Sequence, residues 1–516
     1  MKKLILILTI FAFTGQELIA QWSDAGSGKL YRTGGADRDS DGGGIFDTQG
    51  DWTLDATITQ YTNTYNLNTN NWDGTVHDGH GATGWGSTAM GAYNRASGVG
   101  AFVAGFMNVA GPTGSNISSI PPSTTNSGGQ FAVGYATAAT GHAAFSAGEA
   151  TTASGDRSAA MGYNATASGD YSTAMGYETT ASGDYSAAMG DNTTASGGNS
   201  TAMGRDTTAS GAYSTAMGYY TEASGDYSTA VGGYYPTASG TSSTAMGELT
   251  TASGNNSTAI GNNTTASGDK STSMGNGTNA SGTGSTAMGW STTASGTVST
   301  ASGESTTASG DKSTSMGYST TASGDYSAAM GGYGEASGDY STVMGYDTEA
   351  TAIGSVAMGR GTTASDSYAT AMGGYTTASG DKSTAMGLST TASGDKSTAM
   401  GDGTAAGGEN SVAMGEDTDA SGTASIAMGY NTTASGENST AMGYYTEASG
   451  GYGATAMGNQ TTASGAQSTV MGEGGTASGA ASTAMGRGTT ASDYASLVIG
   501  QYNDSGSSVT SDATAF

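Results

Sequence analysis

Asp37, Asp39 and Asp41 alternate in "DRDSDG", the spacing that opens a calcium loop. Such a loop ends on a bidentate carboxylate at its twelfth position, which here is Thr48. The three aspartates are therefore a metal candidate on composition alone. His77 and His80 in "HDGH" are a second pair of metal-ligand types, but no third ligand accompanies them, and they read as a solvated loop. Tyrosines recur at fixed places. Tyr171, Tyr185, Tyr213 and Tyr227, with Tyr326 and Tyr340, share one place that is Lys at 270, 312, 382 and 396. Tyr163, Tyr177, Tyr219, Tyr318, Tyr346 and Tyr430 share another. Exposed rows of this kind suit binding of matrix proteins or glycans, and stacking between neighbouring elements explains the same repetition. The chain has 3 His and shows no nucleophile–base pair, carboxylate dyad or phosphate-cradling "GxxxxGK[ST]". No catalytic residue and no cofactor is expected.

The elements that position these residues follow from one period. The place before the Gly of "AMG" recurs 29 times from Met90 to Ile499, and Met fills 22 of them. Ala104, Val133, Ala147, Val231, Ile260, Ser302 and Ile499 fill the others. Of the 28 intervals 25 are fourteen residues and two are fifteen. The longest, between Ala104 and Val133, holds Pro112, Pro121 and Pro122 and predicts a loop insertion near residues 106–130. A period held this long indicates a solenoid. A coiled coil is excluded, because Gly at every seventh place costs about 1 kcal/mol each against Ala and no Leu or Ile seam offsets it.

Each period has two halves, such as "DYSTAMG" and "YETTASG", read as two short strands with glycine at both turns to supply positive φ. Alternation puts Ser172 and Ala174 on one face, and Thr173 and Met175 on the other. A roll with seven residues per half holds only small side chains, and both halves supply Ala. Ala is therefore predicted to point inward and Met outward. A methionine column on the surface exceeds the apolar patch a monomer tolerates. Burying it against parallel copies of the chain resolves this, with Met175, Met189, Met203, Met386 and Met400 among the interface residues. The opposite orientation, with Met inside each roll, needs no oligomer.

Composition sets the remaining bounds. Net charge is −28, from 14 basic and 42 acidic residues, which disfavours nucleic acid and anionic membrane surfaces as partners. With no Cys, disulfides are excluded. Residues 1–20 read as an export signal, with Lys2 and Lys3 before the apolar run "LILILTIFAF" and Ala20 before the cut. Residues 21–81 form a cap or tip segment with Trp22, Trp52 and Trp72, in which "WTLDATI" alternates like a strand. Residues 82–500 are the repeats, and 501–516 a tail that stops before any stalk or anchor.

Motifs of the form "STAMG", "SVAMG" and "SIAMG", separated by "TASG", resemble the head domain of trimeric autotransporter adhesins, the YadA-like head. The resemblance covers about residues 82–500. It implies an all-β, left-handed parallel β-roll of fourteen-residue coils, a parallel homotrimer, a bacterial cell-surface or secreted location, and adhesion to host or environmental surfaces without catalysis. The family usually places Ile or Val where this chain places Met. An ice-binding or other structural β-solenoid is the alternative. Its usual Thr-x-Thr strand differs from the adjacent Thr179 and Thr180 here.

Overall fold

Seven residues cannot both make a strand and return the chain unless the turn is tight, and the fold shows how this is done. The computed structural model describes residues 87–111 and 128–505, and elsewhere only the backbone strands Trp22–Asp24, Leu30–Arg32, Leu54–Ala56 and Gly81–Ala82. Asp37, Asp39, Asp41, His77, His80, the export signal and the prolines at 112, 121 and 122 lie outside the described residues.

The chain forms two units, Met1–Ala223 and Ser224–Phe516. Both have the same architecture, a parallel β-solenoid whose coil is one long strand and one short strand. The first unit contains nine long strands from Thr88–Ala92 to Thr215–Tyr219, and the second twenty from Thr229–Tyr234 to Leu497–Gln501. Like residues stack on like. Thr173–Tyr177 pairs in parallel with Ala187–Asp191, and Thr180–Ala181 with Thr194–Ala195. The amide of Thr173 donates to the Ser186 carbonyl at 2.8 Å, and that of Thr180 to the Thr193 carbonyl at 2.8 Å. Leu54–Ala56 lies parallel to Thr88–Met90 of the first long strand.

The coil of residues 172–185 shows the layout. Ser172, Ala174, Thr179 and Ala181 are buried, whereas Thr173, Met175, Thr180 and Ser182 point outward. Ala174 and Ala181 are each 0% exposed, so the roll closes on alanine, as its narrow bore requires. Where Ser replaces the inward Ala, its hydroxyl crosses the bore: Ser273 Oγ lies 2.7 Å from Thr278 Oγ1, and Ser315 Oγ 2.8 Å from Thr320 Oγ1.

The two glycines do different work. Gly176 takes φ +132°, and a Cβ on it would lie 1.9 Å from the Gly190 carbonyl oxygen. Gly183 is not at positive φ, contrary to the expectation that both turns use glycine for it. It is required because a Cβ there would lie 2.1 Å from the Gly197 carbonyl oxygen of the next coil. The left-handed positions belong instead to Glu178 (φ 52°) and Tyr185 (φ 58°). Each amide there donates to the preceding coil, Tyr185 to the Asp170 carbonyl at 2.7 Å and Glu178 to that of Tyr163 at 2.8 Å. These bonds offset the strain that non-glycine residues meet at positive φ.

The two fifteen-residue periods place their extra residue differently. At Val231–Tyr234 the extra residue is taken up by an irregularity in the strand. At the second, Thr440–Tyr444 still pairs in order with Thr455–Asn459, and the extra residue falls in the turn around Tyr452.

At two places in the bore a larger side chain is matched by a missing one. Val343 and Val470 stand in the inward Ala column, and a glycine stands in the Thr column beside each, Gly334 and Gly475. A Cβ on Gly334 would lie 2.7 Å from Val343 Cγ1, and one on Gly475 2.9 Å from Val470 Cγ2. Restoring the column residue by Gly334→Thr is expected to destabilise the roll by about 1–3 kcal/mol through overpacking. Val343→Ala in the same chain should recover most of that loss. Thermal melts of the two single variants and the double variant check it, and additivity would contradict the contact.

Candidate functional surfaces

The outer surface of each coil has two broad faces and two turn edges. The first face is built by outward residues of the long strands, such as Thr173 and Met175. Met175, Met189 and Met203 are stacked on it in register in the first unit. In the second unit Met386 and Met400 are paired likewise, within an unbroken run of thirteen methionines from Met316 to Met485. These methionines are half-buried in the chain by itself, and Met246 and Met344 are 40% and 41% exposed. The expected outward direction of Met is what the burial pattern shows.

Two features of this face were not read from the sequence. The first is charge exclusion. In each unit its two outward columns, over nine and twenty long strands, hold no Asp, Glu, Lys, Arg or His. The equivalent outward Thr column of the short strands carries Arg95, Glu222, Glu335, Glu349, Asp419 and Glu447. The second is volume exchange. Where the Met place holds Ala104, Val133 or Ala147, the Thr place two residues earlier holds Phe102, Phe131 or Phe145. These rings stack along the face, with centroids 5.0 and 5.1 Å apart. The exchange is confined to these three coils, since Ser302 in the Met place is accompanied by Thr300. The signal was available as a comparison of neighbouring columns.

The second face carries Thr180 and Ser182, with Thr179 buried beneath it. The adjacent threonines do point to opposite sides. Outward Thr and Ser nonetheless form an i, i+2 hydroxyl array, which the Thr179–Thr180 comparison overlooked.

One turn edge holds the "SGDY" residues. Asp170 Oδ1 accepts the Asp156 amide at 2.9 Å, and Asp184 Oδ1 accepts the Asp170 amide at 3.0 Å. The same ladder runs from Asp311 through Asp325 to Asp339. These carboxylates therefore splice one coil to the next. Among the described residues no cluster of three or more His, Asp or Glu is arranged to hold a metal ion.

The Tyr171 and Tyr185 rings stack at 4.7 Å and 6°, and Arg157 lies over Tyr171 at 5.0 Å. Tyr326 and Tyr340 stack at 5.0 Å. Tyr213 and Tyr227 occupy the same turn place in their coils, each at φ 58°. Stacked rings cover one another's faces, so the edge presents ring rims and hydroxyls rather than a flat aromatic platform. Lys312 Nζ donates to Tyr326 Oη at 2.6 Å, which holds its ammonium pKa above the ordinary lysine range. On the other edge, Tyr163 stacks on Tyr177 at 4.9 Å and Tyr430 on Tyr444 at 5.1 Å.

The YadA head domain repeat, taken as two copies, matches the chain in segments between residues 153 and 503, including 153–179, 181–207, 378–404 and 477–503. Adhesins with this head form homotrimers at the bacterial cell surface, bind surface ligands and are in general not enzymes. No curated protein matches the chain. Repeats matched over more than half the length, on a parallel β-solenoid with that period, place the chain in the YadA head family.

Proposed function

We propose that the protein is a non-catalytic attachment protein, exported after removal of residues 1–20 and assembled as a parallel homotrimer through the Thr/Met face. Met175, Met189, Met203, Met386 and Met400 lie in that interface. The observation that carries the reading is the charge-free face. In a chain with 56 charged residues, 14 basic and 42 acidic, charge is kept from both outward columns of 29 strands while the opposite face and the edges accept it. Charges are excluded where water will be excluded, because an unpaired buried charge is costly. Ligands meet the turn edges, where Tyr185, Tyr213 and Tyr227 recur at one turn place, Tyr185 and Tyr227 directly after Asp184 and Asp226. An extracellular-matrix protein or a surface glycan fits that chemistry through hydrogen bonds to its rim.

Light scattering on the chain from Gln21 is expected to give three times the chain mass. In solid-phase assays the trimer should be retained by matrix proteins or glycans. Tyr185→Ala with Tyr213→Ala should lower that retention without changing the mass. A monomer overturns the interface, and unchanged retention removes the tyrosine edge from the ligand site.

The Thr180/Ser182 array supports an ice-binding face as a second reading. Glu222, Glu335, Glu349, Asp419 and Glu447 interrupt it, so thermal hysteresis is expected to be absent; measurable hysteresis would favour that reading.

A further inference from the structure

The Met place does not demand methionine. Ile260 and Ile499 occupy it on five-residue strands like those of the methionines, and β-branched residues suit a pleated surface better than an unbranched side chain. The chain nonetheless puts thioethers there 22 times, thirteen of them consecutively from Met316 to Met485. Of its 24 methionines only Met1 and Met107 lie off the column. A thioether differs from Ile in one chemical respect that matters outside the cell, since it accepts an oxygen atom from a peroxide.

Resting on the homotrimer reading, we infer that the methionine column is an oxidative modification site that controls assembly: the unassembled chain is open to peroxide at Met316–Met485, and sulfoxides there prevent association. In each event the sulphur gives up two electrons and binds one peroxide oxygen as a sulfoxide, and the other oxygen leaves as water. No bond of the main chain is touched. The product is polar and chiral, and it stands on a face from which every charge has been kept. Assembly closes the site, because the sulphurs then face one another. The coils remain stacked, since inward Ala and the backbone ladders hold them and each coil contacts only its neighbours.

Met107 is a built-in reference. It sits in a turn at φ 59°, is 50% exposed, and is not on the column. In the assembled protein treated with hydrogen peroxide, peptide mass spectrometry should show Met107 oxidised at least tenfold faster than Met386 and Met400. In the full chain unfolded in guanidinium, the three should oxidise at similar rates. After refolding by dilution, the oxidised chain should regain β-structure by circular dichroism. It should need at least a tenfold higher concentration to reach half-assembly than a mock-treated chain. Methionine sulfoxide reductases should reverse the shift. A variant with Leu at all 22 methionine places of the column should assemble equally with or without peroxide treatment.

Equal rates at Met107 and Met386 in the native protein overturn the inference, as does assembly of fully oxidised chain at the mock-treated concentration. Loss of assembly in the peroxide-treated Leu variant also overturns it, by placing the lesion elsewhere. Complete loss of β-structure in the oxidised chain does so by placing the sulphurs inside the coils. A mock-treated chain that is monomeric at every concentration sinks the homotrimer reading itself, and the inference falls with it. A trimer indifferent to its sulfoxides sinks the inference alone.

Discussion

Met386→Asp combined with Met400→Asp abolishes the trimer and leaves most of the roll stacked: that is the expected result at the middle of the thirteen-methionine run. The two residues are paired in register on adjacent strands and point out of the bore. In a trimer closed on this face, each substitution brings three carboxylates together away from water. An uncompensated buried charge costs about 3–5 kcal/mol, and like charges near one axis add to it. The cost vanishes in the separated chain, where both carboxylates meet solvent. The equilibrium therefore moves toward monomers in a concentration-dependent way. Ala385 and Ala399 remain buried beneath, so the coils above and below still stack. Light scattering across a dilution series, with circular dichroism on the same samples, reads both parts. An intact trimer would show that the face is not the interface.

The complementary result is expected inside the bore. Ala385→Leu with Ala399→Leu should unfold the affected coils in trimer and monomer alike. Both alanines are 0% exposed, and each stacks on an alanine of the coil before it: Ala371 under Ala385, and Ala385 under Ala399. A leucine has no room there, and the bore cannot widen without breaking the ladders that carry Thr384 and Thr398. Overpacking costs about 1–3 kcal/mol per site, and adjacent sites in one closed bore do not relax independently. The melting temperature should fall by an amount that does not depend on protein concentration, and exchange protection should be lost around residues 370–415 first. A melting curve like that of the unmodified chain would contradict a sealed interior. The chain itself supplies a precedent: at 343 and 470 valine enters this column beside a glycine that replaces the neighbouring threonine, and Val103 enters it beside Asn94 and Asn108.

Much of this was legible in the residues. The fourteen-residue period, the division into two strands and two turns, and the separation of Ser172 and Ala174 from Thr173 and Met175 all follow from spacing and alternation. The inward direction of Ala followed from volume, since both halves of a narrow roll offer it. The tyrosine columns were legible as stacks because identical residues recur one period apart, and the rings at Tyr171 and Tyr185 do stack. The glycine of "ASG" was misread. At Gly183 φ is ordinary, and the carbonyl of the next coil leaves no room for a side chain, although Ala352, Asp366 and Asp493 fill the same place in other coils. The Asp156–Asp170–Asp184 splice was likewise invisible, because it joins a side chain to an amide fourteen residues earlier.

By itself, then, the sequence determined the period, the strand faces, the small-residue bore and the family, because these depend on side-chain size and alternation within one coil. Only the tertiary structure decided which turn residues take positive φ, why Gly183 leaves no room for a side chain, and how Val343 and Gly334 share one space. The physical reason is common to all three. Each depends on how successive coils meet, with backbones only about 4.8 Å apart, a contact absent from any single repeat.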